Sequence, residues 1–375
     1  MKVVDANISI VFQGAVKTQI TQEALSAARN IFPQATIILS TWAGENYSGL
    51  DYNKIVLNQD PGGITIGRQA DGPTYNNTNR MLYSSQQGLK MVETPYVLKL
   101  RTDIILQDTE FLRYWEAYPT RIEKYQLFQH RILNYYLFAP QFSYLQGRKI
   151  PTLFHPSDWM FFGLTSDVKK LFDIPLQPEP LYSRWWVKHN KRPEQIDCWP
   201  EAVFRYAPEQ YLFYSAIKNK FPNIGFESYM DISREKESLS KQIMANNFII
   251  LDYRQWHIKM PKYQALIGTI PYGQTSHSVW LESYKKYCDI CFKIPWKEKL
   301  FKCLSFNILE ILKTKRLELE KKFVLNLFPM LYKIHIKRKY SNEPDKLKRK
   351  MSLFAKPKKQ YVYPEDIINE KILKK

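Results

Sequence analysis

Cysteine and glycine are scarce in this chain of 375 residues, which has 4 of the former and 13 of the latter. Four cysteines are too few for a disulfide framework, which favours a reducing compartment. No apolar run approaches the ~18 residues of a membrane-spanning helix, and the first residues lack the apolar core of a signal peptide. We therefore expect a protein that is made and kept in the cytoplasm.

Several familiar motifs are also missing. The glycine-containing run 62–67 is neither a P-loop nor a dinucleotide-binding fingerprint. There is no serine nucleophile elbow and no HExxH helix. One CxxC pair, Cys288 and Cys291, lacks the second pair or the histidines that a structural zinc site needs. We interpret these two cysteines as packing residues of a helix.

Positive charge is abundant and unevenly distributed. The formal net charge is +19, with 45% hydrophobic and 15% aromatic residues, as in a folded globular protein. Residues 285–375 hold 25 Lys/Arg against 10 Asp/Glu, whereas residues 1–284 hold 30 against 26. A nearly balanced body with a basic end indicates a polyanionic surface as partner, either a membrane leaflet or nucleic acid.

Strand and helix patterns alternate in the first hundred residues. Short apolar runs predict strands over 8–13, 35–42, 54–58 and 96–106. Between them the spacing predicts a helix capped by Thr21 and ending before Pro33, and another over about 76–91. Such alternation is typical of parallel βαβ units, in which ligands bind beyond the carboxyl ends of the strands.

The run over 96–106 is the most informative of these strands. Lys99, Arg101 and Asp103 alternate with apolar residues, so the three charges should share one face. Buried charge is costly unless it is paired or bound to a ligand. A carboxylate at the end of a strand could hold a divalent metal on a diphosphate. The alternative is a strand with one solvated face.

Short motifs that follow one another in a fixed order carry a resemblance to a known family. They are Ile10–Gly14, Phe32-Pro33, Ile38–Trp42, Asp60–Gly62, Asn76-Asn77, Asn79-Arg80, Gly88-Leu89, Leu98–Asp103, His155–Trp159, Phe162-Gly163 and Pro208–Gln210. This pattern, over roughly residues 7–260, resembles the WavE family of bacterial lipopolysaccharide-synthesis proteins. The resemblance implies similarity to GT-A glycosyltransferases, which transfer a sugar from a nucleotide donor. The basic tail lies outside it.

The resemblance implies donor-binding roles for residues at the first strand ends. At Gln13 and Gly14 the missing side chain of glycine would let the donor base approach the backbone. Trp42 would stack on a base or sugar, although a role as a core aromatic is equally compatible with its position. Asp60 lies where such folds often contact the nucleoside.

The diphosphate would be met by the next set of residues. Asn79 and Arg80 would face it from a helix, since arginine binds phosphate in a bidentate manner; an exposed salt bridge is the alternative for Arg80. Asp103 takes the place of the second carboxylate of an Asp-X-Asp metal motif, and Arg101 replaces the first. Either Arg101 itself neutralises phosphate, or Asp103 holds Mn²⁺ or Mg²⁺ together with water and diphosphate oxygens.

Three residues are candidates for activating the acceptor. An inverting transferase needs a base to take the proton of the attacking hydroxyl. Asp158, beside Trp159, and Glu209, after Pro208, are the carboxylate candidates, and His155 is the third. Glu209 could instead be an acidic residue that favours the dipole at a helix start.

Together these inferences predict an α/β fold: a GT-A-like nucleotide-sugar-binding domain with a central, mostly parallel sheet flanked by helices, plus a basic helical C-terminal extension. The domain should span residues 1–284, with a donor half over about 1–110 and an acceptor half over about 111–284. Residues 285–340 should form the basic amphipathic extension, and residues 341–375 a charged, poorly ordered tail.

The predicted function is transfer of a sugar from a nucleotide-sugar to a lipid-linked or polysaccharide acceptor, such as lipopolysaccharide, by a protein peripherally bound to the inner face of the cytoplasmic membrane. Two alternatives stay open: a sugar-phosphate transferase, and a non-catalytic assembly protein of the same pathway, which Arg101 in place of an acid would support. Nucleic acid is not an expected partner, because the basic residues are confined to the tail.

Overall fold

A computed structural model describes residues 3–69, 72–145, 148–188, 204–264, 266–271 and 273–303. The tail predicted over 341–375 lies outside these residues, as does the basic extension beyond residue 303. Part of the irregular loop predicted over 180–201 is also outside them.

The amino-terminal half alternates strands and helices as far as the sixth strand. In chain order its elements are β1 (Ile8–Gln13), α1 (Thr18–Ile31), β2 (Thr36–Trp42), β3 (Lys54–Asn58), β4 (Ile64–Gln69), β5 (Gly72–Asn76), α2 (Thr78–Lys90), β6 (Tyr96–Arg101) and β7 (Ile105–Leu106).

The carboxyl-terminal half is more irregular. Its elements are β8 (Ile132–Tyr135), β9 (Phe142–Leu145), β10 (Arg148–Pro151), β11 (Phe161–Leu164), α3 (Thr165–Phe172), α4 (Trp185–Lys188), α5 (Pro208–Ile217), α6 (Arg234–Asn247), β12 (Phe248–Leu251), β13 (Ile258–Lys259), α7 (His277–Tyr287) and α8 (Trp296–Lys302).

A seven-stranded sheet forms the centre of the fold, in the order β12-β8-β11-β6-β1-β2-β3. Strands β6, β1, β2 and β3 are parallel to one another, and β12 is parallel to β8. Strand β11 runs antiparallel to both of its neighbours. The prediction of a mixed α/β fold with a mostly parallel sheet is confirmed.

Helix α2 packs directly on the parallel part of the sheet. A Cβ added to Gly88 would lie 2.6 Å from the Val11 Cγ1 atom of β1 and 3.0 Å from Ser40 Cβ of β2. Strand β1 is buried along its whole length, in keeping with its apolar sequence. This close packing brings the first residues of α2 to the carboxyl edge of the sheet.

Two local predictions are wrong in detail. The strand predicted over 96–106 ends at Arg101, and the chain turns there before β7 pairs with β13. Thr102 makes this turn by donating its hydroxyl to Ala15 O at 2.6 Å and its N–H to Gln13 O at 3.2 Å. Thr21 is not a cap: α1 begins at Thr18, and the Thr21 hydroxyl accepts from Lys17 N.

The boundary predicted after residue 284 falls inside α7. Helix α8, within the predicted basic extension, is bound to the body by an ion pair between Glu298 and Arg254 at 2.9 Å and another between Lys302 and Glu282. Among the described residues, no helix has both the length and the apolar character needed to cross a membrane.

Candidate functional site

A cavity of about 670 Å³ opens at the carboxyl ends of β1, β2 and β6. It brings together eight of the residues predicted from the sequence, which come from six separate segments. They are Gln13, Gly14, Trp42, Asp60, Arg80, Arg101, Asp103 and Asp158. Ligand sites in open α/β sheets lie at this edge, so the cavity is the candidate functional site.

The turn after β1 forms the floor of this cavity. Gly14 has φ +114°, which side-chain-bearing residues rarely adopt, and its N–H donates to Ser40 O at 3.1 Å. The side chain of Gln13 is nearly buried, and its Oε1 accepts from the Ser84 hydroxyl of α2 at 2.7 Å. Gln13 therefore anchors α2 to the strand with its side chain.

Asp60 and Arg80 form a bidentate ion pair at the rim. Arg80 Nε lies 2.8 Å from Asp60 Oδ1, and Nη2 lies 2.6 Å from Oδ2. The hydrogen bonds from Arg80 hold the pKa of Asp60 below its usual range. This is the salt bridge foreseen as the alternative for Arg80, and it also fixes the guanidinium at the cavity beside the half-buried Trp42.

Asn79 is placed elsewhere. Its side-chain amide donates to Gln177 O at 3.0 Å, and its Oδ1 accepts from Gln177 N at 2.6 Å. Both polar atoms are thus engaged with the segment after α3, and Asn79 is not among the residues that line the cavity. It ties α2 to that segment.

Asp103 is held between two cations. Arg101 Nε and Nη2 each lie 3.0 Å from one of its oxygens, and Lys17 Nζ lies 2.8 Å from Oδ2. Burial alone would raise the pKa of Asp103, but the charge of Arg101 and the hydrogen bonds from both cations outweigh it, so the pKa is lowered. The carboxylate is 4% exposed and stays ionised.

This arrangement is a poor fit for a divalent metal. Such ions take several oxygen ligands, commonly carboxylates with water and phosphate. Both oxygens of Asp103 are already engaged by cations, and Arg101 occupies the place where a second carboxylate would stand. The described part of the chain holds no group of three or more His, Cys, Asp or Glu residues suited to a metal.

Lys99 is buried beneath the cavity rather than exposed in it. Its side chain is 0% exposed, and its Nζ donates to the backbone oxygen of Asp158 at 2.8 Å. Burial lowers the pKa of this amine to about 7. Lys99 therefore positions the loop that carries Asp158, which differs from the shared polar face predicted for the three charges of this strand.

Asp158 differs from the other acidic side chains that line the cavity. Asp60 and Asp103 are ion-paired, and Glu45 accepts from Val16 N and the Thr41 hydroxyl. Within the described residues, the carboxylate of Asp158 has no hydrogen bond or ion pair. It is therefore the cavity carboxylate most able to take a proton from a bound molecule.

Glu209 and His155 lie on a second, smaller cavity of about 380 Å³. Their side chains approach to 3.6 Å between His155 Nε2 and Glu209 Oε2. Burial, and then the charge of Asp158, raise the pKa of Glu209 well above its usual range, and burial lowers the pKa of His155 to about 4. The contact therefore joins two uncharged groups near neutral pH and is not an ion pair.

Several residues of the first cavity were not singled out from the sequence. They are Ala15, Lys17, Glu45, Tyr75, Asn77, Thr78, Met81, Thr102, Pro208, Lys262 and Tyr263. Asn77, Thr102 and Pro208 belong to the ordered motifs, which was a usable signal. Lys17 and Lys262 had none, since each reaches the cavity only through the packing of distant segments.

The fold and cavity define an α/β protein with a polar ligand site at the carboxyl edge of its parallel strands. A comparison with protein families matches residues 8–316 to WavE lipopolysaccharide synthesis. The chain belongs to this family, and the match extends beyond the residues 7–260 inferred from the motifs, into the start of the basic extension. No curated protein matches the chain.

Among solved structures, the chain is similar to a crystal structure of an active-site mutant of LgtC. The identity is 10%, the TM-score is 0.29, and the similarity covers 44% of this chain and 59% of that one. The chain thus spans less than two thirds of the length of that structure.

Proposed function

We propose that the protein is a glycosyltransferase of lipopolysaccharide or surface-polysaccharide synthesis, with a GT-A-like nucleotide-sugar site in the larger cavity. The observation that carries the proposal is the convergence of strand-end residues on one cavity of about 670 Å³, a size typical of cofactor and ligand sites. Membership of the WavE family supports the pathway. Trp42 and Tyr75 supply aromatic surface for a base or a sugar.

In this proposal the diphosphate of the donor meets side-chain cations rather than a divalent metal. Arg101 is fixed in place by Asp103, and Arg80 by Asp60, so both guanidinium groups are oriented before a ligand arrives. Lys17 is 42% exposed and has room to move its amine from Asp103 to a phosphate oxygen. Charged donors held in place in this way stabilise the negative charge that builds up on the leaving group.

Asp158 is proposed as the base. The hydroxyl oxygen of the acceptor forms a bond to the anomeric carbon of the donor sugar, and the bond from that carbon to the diphosphate oxygen breaks. The hydroxyl proton passes to Asp158, and the nucleoside diphosphate leaves with its electron pair. The unpartnered carboxylate of Asp158, held through Lys99, supports this role.

Nucleotide binding tests the proposal directly. The thermal midpoint of the full chain is measured with UDP, GDP, ADP, dTDP and CMP, each with and without Mn²⁺. A nucleotide at a hundred times its dissociation constant adds about 2.7 kcal/mol of stability. We expect one diphosphate to raise the midpoint, and Arg101→Gln to weaken its binding about tenfold or more. Lys90→Met, on the outer surface of α2, is the matched control and should bind normally.

Product analysis separates the alternatives. A glycosyltransferase releases the nucleoside diphosphate, whereas a sugar-phosphate transferase releases the monophosphate. Turnover that is lost in Asp158→Asn, with nucleotide binding retained, excludes a non-catalytic assembly protein. If no nucleotide stabilises the full chain, the proposed donor site is wrong.

We also propose that the basic end of the chain holds the enzyme on an anionic membrane surface. The three most exposed large apolar side chains among the described residues are Ile290, Trp296 and Leu300, at 75%, 67% and 48%. They stand among lysines in a region where basic residues outnumber acidic ones. Exposed apolar and basic side chains together favour binding at a lipid interface.

Vesicle sedimentation tests this surface. The full chain should sediment with phosphatidylglycerol vesicles, less so with phosphatidylcholine vesicles, and Trp296→Ser should weaken the binding. Leu57→Ser replaces an apolar side chain of 44% exposure on the edge strand β3 and serves as control. Equal sedimentation of both variants would remove Trp296 from the proposed membrane surface.

A further inference from the structure

The second cavity, of about 380 Å³, has no part in donor binding. Its lining comes from the segments around β9, α5 and α7, namely Phe138, Pro140, Phe142, Ser143, His155, Glu209 and Gln274. It meets the donor cavity at the start of α5, where Pro208 lines the first cavity and Glu209 the second. Asp158 is close enough to Glu209 to raise its pKa. The two cavities therefore adjoin at the proposed base.

Two polar atoms at this cavity are buried without a hydrogen-bond partner among the described residues. They are Gln274 Oε1 and His155 Nδ1. Most buried polar groups in proteins are hydrogen-bonded, because an unpaired one costs stability. A ligand with hydroxyl groups would supply the missing partners.

The backbone presents Gln274 to the cavity in a fixed way. Gly273, with φ +91°, accepts from Gln141 N at 2.7 Å, and a Cβ there would lie 2.9 Å from Phe142 O. The backbone oxygen of Gln274 accepts from the Gln141 side chain at 3.1 Å. The close approach that glycine allows sets the position of the Gln274 side chain.

The titratable groups that line the cavity are uncharged near neutral pH. Glu209 is protonated, so its carboxyl group offers one donor and one acceptor, and the imidazole of His155 is neutral. A lining with several hydrogen-bonding groups and no ionised one suits an uncharged polyhydroxylated ligand, whereas an anion would find no cation among the residues that line this cavity.

An aromatic ring stands at the junction of the two cavities. Phe138 is 37% exposed and has φ +61°, a conformation that is strained for a bulky residue. Its ring is 5.3 Å from that of Trp159 and 5.9 Å from that of Tyr263, which lines the donor cavity. Strained residues of this kind cluster at ligand sites, and an exposed ring can pack on the apolar face of a sugar.

We propose that the second cavity is the acceptor subsite, which takes an uncharged sugar residue and directs one of its hydroxyl groups toward Asp158. The proposal rests on the transferase function proposed above. Gln274 and Glu209 hydrogen-bond the sugar, and Phe138 packs on its apolar face. Neither Gln274 nor Phe138 carried a functional signal in the sequence.

Ligand-detected NMR on the full chain tests this subsite. Methyl glycosides of glucose, galactose, N-acetylglucosamine and a heptose are the neutral probes, with glucuronic acid as a charged probe, each with and without the nucleotide that stabilises the chain. At least one neutral glycoside should bind, and more tightly than glucuronic acid. Gln274→Met keeps the length of the side chain and removes the acceptor, so binding should weaken about five- to tenfold.

Two further variants make the result decisive. Glu209→Gln keeps a donor and should retain the glycoside, whereas Glu209→Ala should lose it. Glycosides that bind equally to wild type and Gln274→Met, or that fail to bind a chain that does bind nucleotide, would overturn the subsite and leave the donor site standing. Glycoside binding without any nucleotide binding would support the subsite and count against the transferase.

Discussion

Replacement of Lys99 by methionine should make the protein more stable at neutral pH. The amine of Lys99 is fully buried in β6, with the rings of Phe161 and Phe172 each centred 5.6 Å from Nζ. Burial lowers its pKa from 10.5 to about 7. Methionine has a similar length and volume without the charge, so it can fill the same space.

The size of the effect follows from this pKa. A shift of about 3.5 units corresponds to about 5 kcal/mol that burial of the amine costs near pH 7, as an upper limit. The variant loses the hydrogen bond from Lys99 Nζ to Asp158 O, and an unpartnered buried carbonyl costs about 1–3 kcal/mol. We therefore expect Lys99→Met to raise the free energy of unfolding by about 2 kcal/mol at pH 7.

The pH dependence provides the sharper test. The pKa of Lys99 is lower in the folded than in the unfolded chain, so the unfolded chain binds one more proton between about pH 7 and pH 10. Wild-type stability therefore rises with pH in this window, by up to ~1.4 kcal/mol per unit, and Lys99→Met lacks this contribution. The advantage of the variant should shrink by about 3 kcal/mol from pH 7 to pH 9.5.

Urea denaturation at the two pH values measures the difference between variant and wild type, so other titrating groups cancel. Lys90→Met, on the exposed surface of α2, should show neither effect. A Lys99→Met protein that is less stable than wild type at pH 7, or whose advantage is the same at both pH values, would refute the burial cost assigned to this amine.

Four further results are expected. Asp103→Asn leaves Lys17 and Arg101 without their carboxylate and should lower the free energy of unfolding by about 2 kcal/mol in urea titrations, since both cations are partly solvated. The same variant should weaken nucleoside diphosphate binding in calorimetry. EDTA should leave the nucleotide-induced rise of the thermal midpoint unchanged, and loss of that rise would restore a metal. His155 has a folded pKa of about 4, below its usual 6.5, so the stability it provides is complete above pH 6.5 and is lost toward pH 4; His155→Gln should reduce this acid-dependent loss, by up to about 3 kcal/mol. Gly14→Ala, at φ +114°, should destabilise by about 1–2 kcal/mol in thermal melts.

The parallel half of the sheet could be predicted from the sequence because its signals are local. Strands β1, β2 and β3 are short apolar runs, and glycine or polar residues follow each of them. The β4–β5 hairpin and the antiparallel β11 had no comparable signal. Their pairing depends on contacts between distant segments, which periodicity along the chain does not encode.

Eight predicted site residues share one cavity because carboxyl ends of parallel strands meet at one edge, a property of the fold class itself. What each side chain does there was decided by tertiary packing. Asn79 turns to Gln177, and Glu209 faces the second cavity, although both stood in ordered motifs beside residues that do line the first.

The strand over 96–101 separates the two contributions most clearly. Its sequence alone indicated that charge in an apolar strand must be paired or bound, and that Asp103 stands at its end. Only the tertiary structure supplied the partners: the backbone oxygen of Asp158 for Lys99, and Lys17 with Arg101 for Asp103. Asp158 and Lys17 lie more than fifty residues from their partners, so their proximity depends on how the loops pack around the sheet, and alternation along a strand cannot specify that.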